Sequence, residues 1–156
     1  MSGKFLPIAV KILKSFGPTG KFNGAAIASN TRAVHAEEGN LRLEFEVEKG
    51  QTNNFETLHG GCTATLIDNF TTVALLLSNE PKPHPGVSVD LHVTYLAAAQ
   101  IGETVVIDAT VTKRGKSIAF TKAELYRKRD NTLIATGVHT KAFPTIKKAH
   151  SYPQND

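Results

Sequence analysis

From Leu41 to Val47 the chain alternates strictly, with Leu41, Leu43, Phe45 and Val47 set against Arg42, Glu44 and Glu46. A period of two marks a strand with one buried face and one wet face. Glu38-Gly39-Asn40 before it reads as a hairpin turn, and Ala25–His35 as the partner strand. Further upstream, Phe5, Leu6, Ile8, Ala9, Ile12, Leu13 and Phe16 fall on one helical face, opposite Lys4, Lys11 and Lys14. A turn at Gly17-Pro18-Thr19-Gly20 closes that helix. After the loop Lys49–Thr57, a helix is predicted from about Gly60 to Leu77. Leu66, Ile67, Phe70, Val73, Ala74 and Leu76 make it apolar around most of its circumference, the pattern of a buried helix. Pro81-Lys82-Pro83-His84-Pro85-Gly86 ends it. Four strand-like runs follow, Val87–Leu96, Thr104–Lys113, Ser117–Arg127 and Leu133–Phe143, and short turns between them suggest a meander. The tail after Pro144 reads as frayed.

The order is helix, two strands, buried helix, four strands. An antiparallel sheet wrapped around a central helix satisfies it, an α+β arrangement in one domain spanning residues 1–156. Residues 1–24 form a helix and lead-in, and 144–156 a flexible tail. Such a sheet leaves edge strands uncovered, and pairing with a second copy is the natural remedy.

Composition narrows the class. At 40% hydrophobic and 21% charged the chain is ordinary for a globular protein, and no apolar run is long enough to span a bilayer. The single cysteine, Cys62, excludes an internal disulfide and a cysteine metal cage. Five histidines, His35, His84, His92, His139 and His150, lack metal-ligand spacing, so no metal site is expected. The net charge of +4 favours anionic partners. Scattered lysines without base-stacking aromatics argue against nucleic acid, whereas phosphates on a small ligand fit. The basic amphipathic N-terminus allows two readings, a helix packed on the domain and a mitochondrial leader, so cytoplasmic and mitochondrial locations both stay open.

The chemistry concentrates in NNFETLHGGCTATLID, Asn53 to Asp68. A helix opening at Gly60-Gly61 presents unpaired N–H groups to a developing anion, with Gly60 as the donor. Gly61, Thr65, Asp68 and Thr72 share one helical face, a polar stripe on an apolar helix. A carboxylate there is either bonded to its threonine neighbours or put to use, as general base or nucleophile. His59 caps the helix, orients the loop or meets a carbonyl. Asn53 is a turn residue or a second donor, and Ser88 is a plain strand residue or a partner of Asp68 in holding water. Cys62 belongs to the core. The turn Lys113-Arg114-Gly115-Lys116-Ser117 is a solvated hairpin tip or a seat for phosphate.

Gly60 and Asp68 lie eight residues apart, about 12 Å along a helix rising ~1.5 Å per residue. A carbonyl oxygen and the water attacking its carbon sit only about 3 Å apart. If both groups act on one carbonyl, Gly60 of one subunit must meet Asp68 of another.

TLHGGCTATLIDN at Thr57–Asn69, PGVSVDLHVTY at Pro85–Tyr95, GKSIAF and IATGVHTK together resemble the hotdog-fold acyl-CoA thioesterases, over about Ala25 to Phe143. The resemblance implies hydrolysis of acyl-CoA to a free acid and CoA. It implies a dimer of dimers, and no cofactor beyond the CoA of the substrate. By position, the catalytic aspartate falls on Asp68, the water-orienting serine on Ser88, the oxyanion glycine on Gly60, the histidine on His59 and the loop asparagine on Asn53. CoA contacts fall near Tyr95 and Leu96 and on Lys113, Arg114, Gly115, Lys116 and Ser117. Two alternatives stand beside this: a non-catalytic acyl-CoA sensor, and a hotdog enoyl-CoA hydratase, for which His59 and Asp68 are badly spaced.

Overall fold

The computed structural model describes residues 3–17, 21–22 and 30–144. Pro18-Thr19-Gly20, the start of the expected strand Ala25–His35 and the tail after Pro144 lie outside them. Two helices are named here, α1 (Phe5–Phe16) and α2 (Gly60–Leu76). Six strands follow the order β1 (Thr31–Glu37), β2 (Asn40–Glu46), β3 (Val87–Tyr95), β4 (Thr104–Arg114), β5 (Ile118–Arg127) and β6 (Thr132–Ala142).

The alternation in Leu41–Val47 is realised as predicted. Leu41, Leu43, Phe45 and Val47 are buried, while Arg42 forms an ion pair with Asp108 at 2.6 Å on the outer face. Gly39 turns the β1–β2 hairpin at φ +68, a conformation that favours glycine. The apolar face of α1 is occupied: Ala9 is fully buried, and Phe5, Leu6, Ile12, Leu13 and Phe16 pack on the core. Lys4 ties the helix to Asn79 through a 2.6 Å bond.

The six strands form one antiparallel sheet in the order β1-β2-β4-β5-β6-β3. This corrects the four-strand meander. β4, β5 and β6 do follow one another, but β3 sits at the far edge, against β6. The connection out of β3 explains the jump. Ala99 O accepts from Leu58 N–H at 2.7 Å and Val47 O from Gly102 N–H at 2.8 Å, so the chain crosses the end of the sheet and enters β4 beside β2.

Helix α2 lies against the inner face and packs on β2 to β6. Leu66, Ile67, Phe70, Val73 and Ala74 meet Leu43, Phe45, Ile107 and Leu125 in the core, each large side chain contributing about 1.5–3 kcal/mol through burial. The approach is tight at Gly137, where a Cβ would lie 2.8 Å from Ile67 Cγ2. A sheet curled around one long helix is the hotdog arrangement.

Candidate active site

Two groups of residues assemble around α2. The first is its N-terminus. His59 is the cap in extended conformation, and its Nδ1 accepts the Gly61 N–H at 2.8 Å. The Gly60 N–H has no hydrogen-bond partner among the described residues. Tyr95, at the end of β3, donates its hydroxyl proton to Gly60 O at 3.0 Å, and its ring lies 3.3 Å from where a Gly60 Cβ would stand. Asn53 shapes the preceding loop. Its Oδ1 accepts the Phe55 N–H at 2.9 Å, an Asx turn, and its Nδ2 donates to Thr57 Oγ1 at 3.0 Å. One Nδ2 hydrogen stays available, since an amide nitrogen carries two.

The second group surrounds Asp68, two turns along. The threonines of the polar stripe do not hold the carboxylate. Thr65 Oγ1 donates to Gly61 O at 2.9 Å and Thr72 Oγ1 to Asp68 O at 2.8 Å, each turning back on its own helix. The Asp68 carboxylate instead faces Ser88 Oγ at 3.5 Å and His139 Nε2 at 3.6 Å. It is half exposed on the open side of the helix.

Two buried polar residues beside this cluster escaped the sequence reading, His139 and Lys141. Ala135, Gly137, His139 and Lys141 all face inwards along β6, and the last two are 1% and 4% exposed. The signal lay in the phase of the strand: the alternation that places small residues against α2 must also turn the next two positions inwards.

The hydrogen bonds around His139 fix its tautomer. Thr71 Oγ1 sits 2.7 Å from Ile67 O, so its single proton is directed at that carbonyl. His139 Nδ1, 2.7 Å from the same oxygen, must therefore bring a proton of its own. Nε2 is left as the acceptor and takes the Ser88 hydroxyl proton at 2.9 Å. With that proton spent, Ser88 Oγ and Asp68 Oδ1 face each other as two acceptors, a pair suited to the two hydrogens of one water. Burial pushes the His139 imidazole below its ordinary value, with help from Lys141 and against the pull of Asp68 and Asp90, which keeps the ring neutral.

The cationic turn divides. Lys113, Lys116 and Ser117 are exposed, and Gly115 N–H closes the hairpin on Ile118 O at 2.8 Å. Arg114 is engaged elsewhere, paired with Glu80 at 2.7 Å, donating to Leu75 O at 3.3 Å and lying over the Phe143 ring. Leu96 is exposed at the end of β3. Cys62 packs against the core, and burial pushes its thiol up to about 11, which makes it a poor nucleophile. Among the described residues no cluster of three or more His, Cys, Asp or Glu suits a metal ion, and no helix is long and apolar enough to cross a membrane.

This fold and this constellation have relatives. Residues 55–134 match the family model described as the thioesterase superfamily, and the chain belongs to that superfamily. Human acyl-coenzyme A thioesterase 13 is 49% identical over 108 residues, covering 69% of this chain and 76% of the human protein. The crystal structure of zebrafish thioesterase superfamily member 2 superposes with a TM-score of 0.82 at 39% identity, covering 88% of this chain and 96% of that one. The mouse member 2 structure gives 0.77 at 38% identity, with the same coverage.

Proposed function

We propose that this thioesterase hydrolyses acyl-CoA to a free carboxylic acid and CoA, with Asp68 as general base. The observation that carries the reading is the placement of the Asp68 carboxylate. It is the one acid on a buried helix, free of the threonines beside it and set across from a serine whose proton is already given away. A water between them donates one hydrogen to Asp68 and one to Ser88 Oγ, which leaves an oxygen lone pair for the thioester carbon. As that oxygen bonds to carbon, its proton passes to Asp68. The carbonyl oxygen gains charge and is met by the Gly60 N–H and the spare Asn53 Nδ2–H of a second copy. The C–S bond then breaks and CoA leaves, taking up the proton.

Sharing the site between two copies follows from the helix length and is supported by the edge strand. β3 carries Ser88, is nine residues long and leaves one side of its backbone unpaired. Val87, Val89, Leu91 and Tyr95 are all exposed along it. An edge this long and apolar is suited to a partner strand, and the tetramer is read as two such dimers. The exposed Lys113 and Lys116 offer charge to the phosphates of CoA, beside Ser117 and Gly115 of the same turn, while Tyr95 and Leu96 border its entry.

Thiol release from a panel of acyl-CoAs, acetyl to palmitoyl plus phenylacetyl, tests the reading. Turnover is expected on at least one member, and Asp68→Asn is expected to lower kcat/KM by about 10³-fold. An Asp68→Asn enzyme with undiminished kcat/KM would falsify the assignment of the base.

A further inference from the structure

Thr71 lies fully buried on the inner side of α2, a position that valine would fill without burying a hydroxyl. Its oxygen serves two elements. Oγ1 sits 2.7 Å from Ile67 O and 3.2 Å from Asp68 O on its own helix, and 2.7 Å from His139 Nδ1 on β6. Two oxygens only 2.7 Å apart need a proton between them. A carbonyl has none to give, so the Thr71 proton lies there, turned back on the helix. That leaves the ring nitrogen as the donor in the other contact.

The consequence passes through the ring to its far nitrogen. A neutral imidazole carries one proton. With Nδ1 protonated, Nε2 accepts from Ser88 at 2.9 Å. Ser88 has a second acceptor within reach, Asp68 Oδ1 at 3.5 Å. In the opposite tautomer Nε2–H would donate to Ser88, and the Ser88 proton would go to Asp68. Every group at that end would still be bonded, but Ser88 and Asp68 would close on each other instead of facing a water as two acceptors. Nothing at the Ser88 end chooses between these arrangements. Thr71 does, because His139 Nδ1 has no other hydrogen-bond partner among the described residues.

Building on the reading of Asp68 and Ser88 as the groups that hold the attacking water, we propose that Thr71 is the positioning residue that sets the direction of this relay. By turning its own proton onto α2, it keeps the His139 proton on Nδ1 and so makes Ser88 an acceptor towards water. Thr71 touches neither water nor thioester. It acts only through His139 and Ser88.

The test uses the full chain. Long-range proton–nitrogen NMR of protein labelled at histidine reads which ring nitrogen carries the proton, and the His139 signals are assigned by their loss in His139→Gln. In the wild type the proton is expected on Nδ1. Thr71→Val keeps the shape and removes the hydroxyl. It is expected to move the proton to Nε2, where Ser88 can accept it, since a buried Nδ1–H would have no partner. Thr71→Ser keeps the hydroxyl and should keep the proton on Nδ1. Thr71→Val is expected to lower kcat by about tenfold with KM little changed, and Thr71→Ser to recover most of that rate. In a Ser88→Ala background, Thr71→Val should have no further effect.

A wild-type ring with its proton on Nε2, or with both nitrogens protonated, overturns the proposal. That reading needs no substitution, so it decides even where Thr71→Val fails to fold. A Thr71→Val ring that keeps its proton on Nδ1 overturns it as well. So do equal rate losses from Thr71→Val with and without Ser88, the pattern of a merely structural threonine. Undiminished kcat/KM in Asp68→Asn would instead bring down the assignment of the base and leave the tautomer result standing.

Discussion

Tyr95 donates its phenolic proton to the carbonyl of Gly60 across 3.0 Å, joining the last residue of β3 to the first residue of α2. The bond sets where the helix begins, and so where the Gly60 N–H points. On the other side of the contact a Cβ at Gly60 would lie 3.3 Å from the Tyr95 ring, so the ring would have to shift to admit one. Gly60→Ala is expected to tilt the helix start and lower kcat by about tenfold with KM little changed, since donors aimed at an oxyanion act in the transition state. Tyr95→Phe removes only the hydrogen bond and should cost about 0.5–1 kcal/mol of stability. Steady-state kinetics and urea unfolding check the pair.

The direction of the Ser88 hydroxyl is the next relationship to test. Ser88 gives its proton to His139, so it can only accept from the attacking water. Ser88→Ala should therefore keep Asp68 functional but leave the water held by one hydrogen, a loss in kcat of about 10–100-fold, smaller than that of Asp68→Asn. Ser88→Thr, which retains the hydroxyl, should recover part of the loss. The thiol-release assay reads all three, and equal losses in Ser88→Ala and Ser88→Thr would count against the hydrogen-bond role.

Much of this was legible in the chain. Strict alternation placed β2, and the all-round apolarity of Gly60–Leu77 placed a central helix, because both patterns record burial locally. The polar stripe with Asp68 and the uncommitted Gly60 N–H were visible for the same reason. Pairing order was not. The place of β3 beside β6 depends on the crossing held by Leu58, Ala99 and Gly102, contacts far apart in sequence. His139 and Lys141 stayed hidden because their meaning comes from the phase of β6, which is fixed by Gly137 meeting Ile67, a contact between distant parts of the chain.

The state of His139 ties folding to pH. Its imidazole is held below the ordinary value of 6.5 by burial and by Lys141, so the folded chain binds that proton less readily than the unfolded chain. As pH falls through about 6.5, the unfolded state takes up a proton the folded state refuses. Stability then drops by up to about 1.4 kcal/mol per pH unit, until the depressed folded value is passed. Above about pH 7.5 the contribution is constant. His139→Gln should flatten this slope between pH 5 and 7, a difference that urea titrations at stepped pH would show; an unchanged slope would assign the acid sensitivity elsewhere.

Packing makes its own demand at Gly137. A methyl there would lie 2.8 Å from Ile67 Cγ2 and 2.9 Å from Cδ1, both inside the core. Gly137→Ala should cost about 2 kcal/mol by overpacking, lowering Tm by roughly 4–8 °C for a chain of this size. Ile67→Ala alone should cost about 2–5 kcal/mol through the cavity it leaves. Because the new methyl enters that cavity, the double variant should lose less than the two single losses added together. Calorimetry of the four proteins gives the coupling directly, and strict additivity would mean that the strand had moved away from the helix.

The shared site makes a stronger claim than any single substitution, and mixing dead enzymes tests it. Asp68→Asn spoils the base, and Asn53→Ala removes a side-chain donor that the proposed mechanism draws from the other copy. If each site takes Asp68 from one copy and Asn53 with Gly60 from the next, neither homodimer has an intact site. A mixed dimer has one site carrying both lesions and one carrying none. Unfolding and refolding the two variants together at equal ratio gives half mixed dimers by random pairing, each with one of its two sites restored. Recovered activity near one quarter of wild type is therefore expected. Refolding each variant alone should return nothing beyond its residual rate. If base and donor instead served one carbonyl from a single copy, every site in the mixture would hold one lesion, and the mixture would be no more active than the average of the two variants.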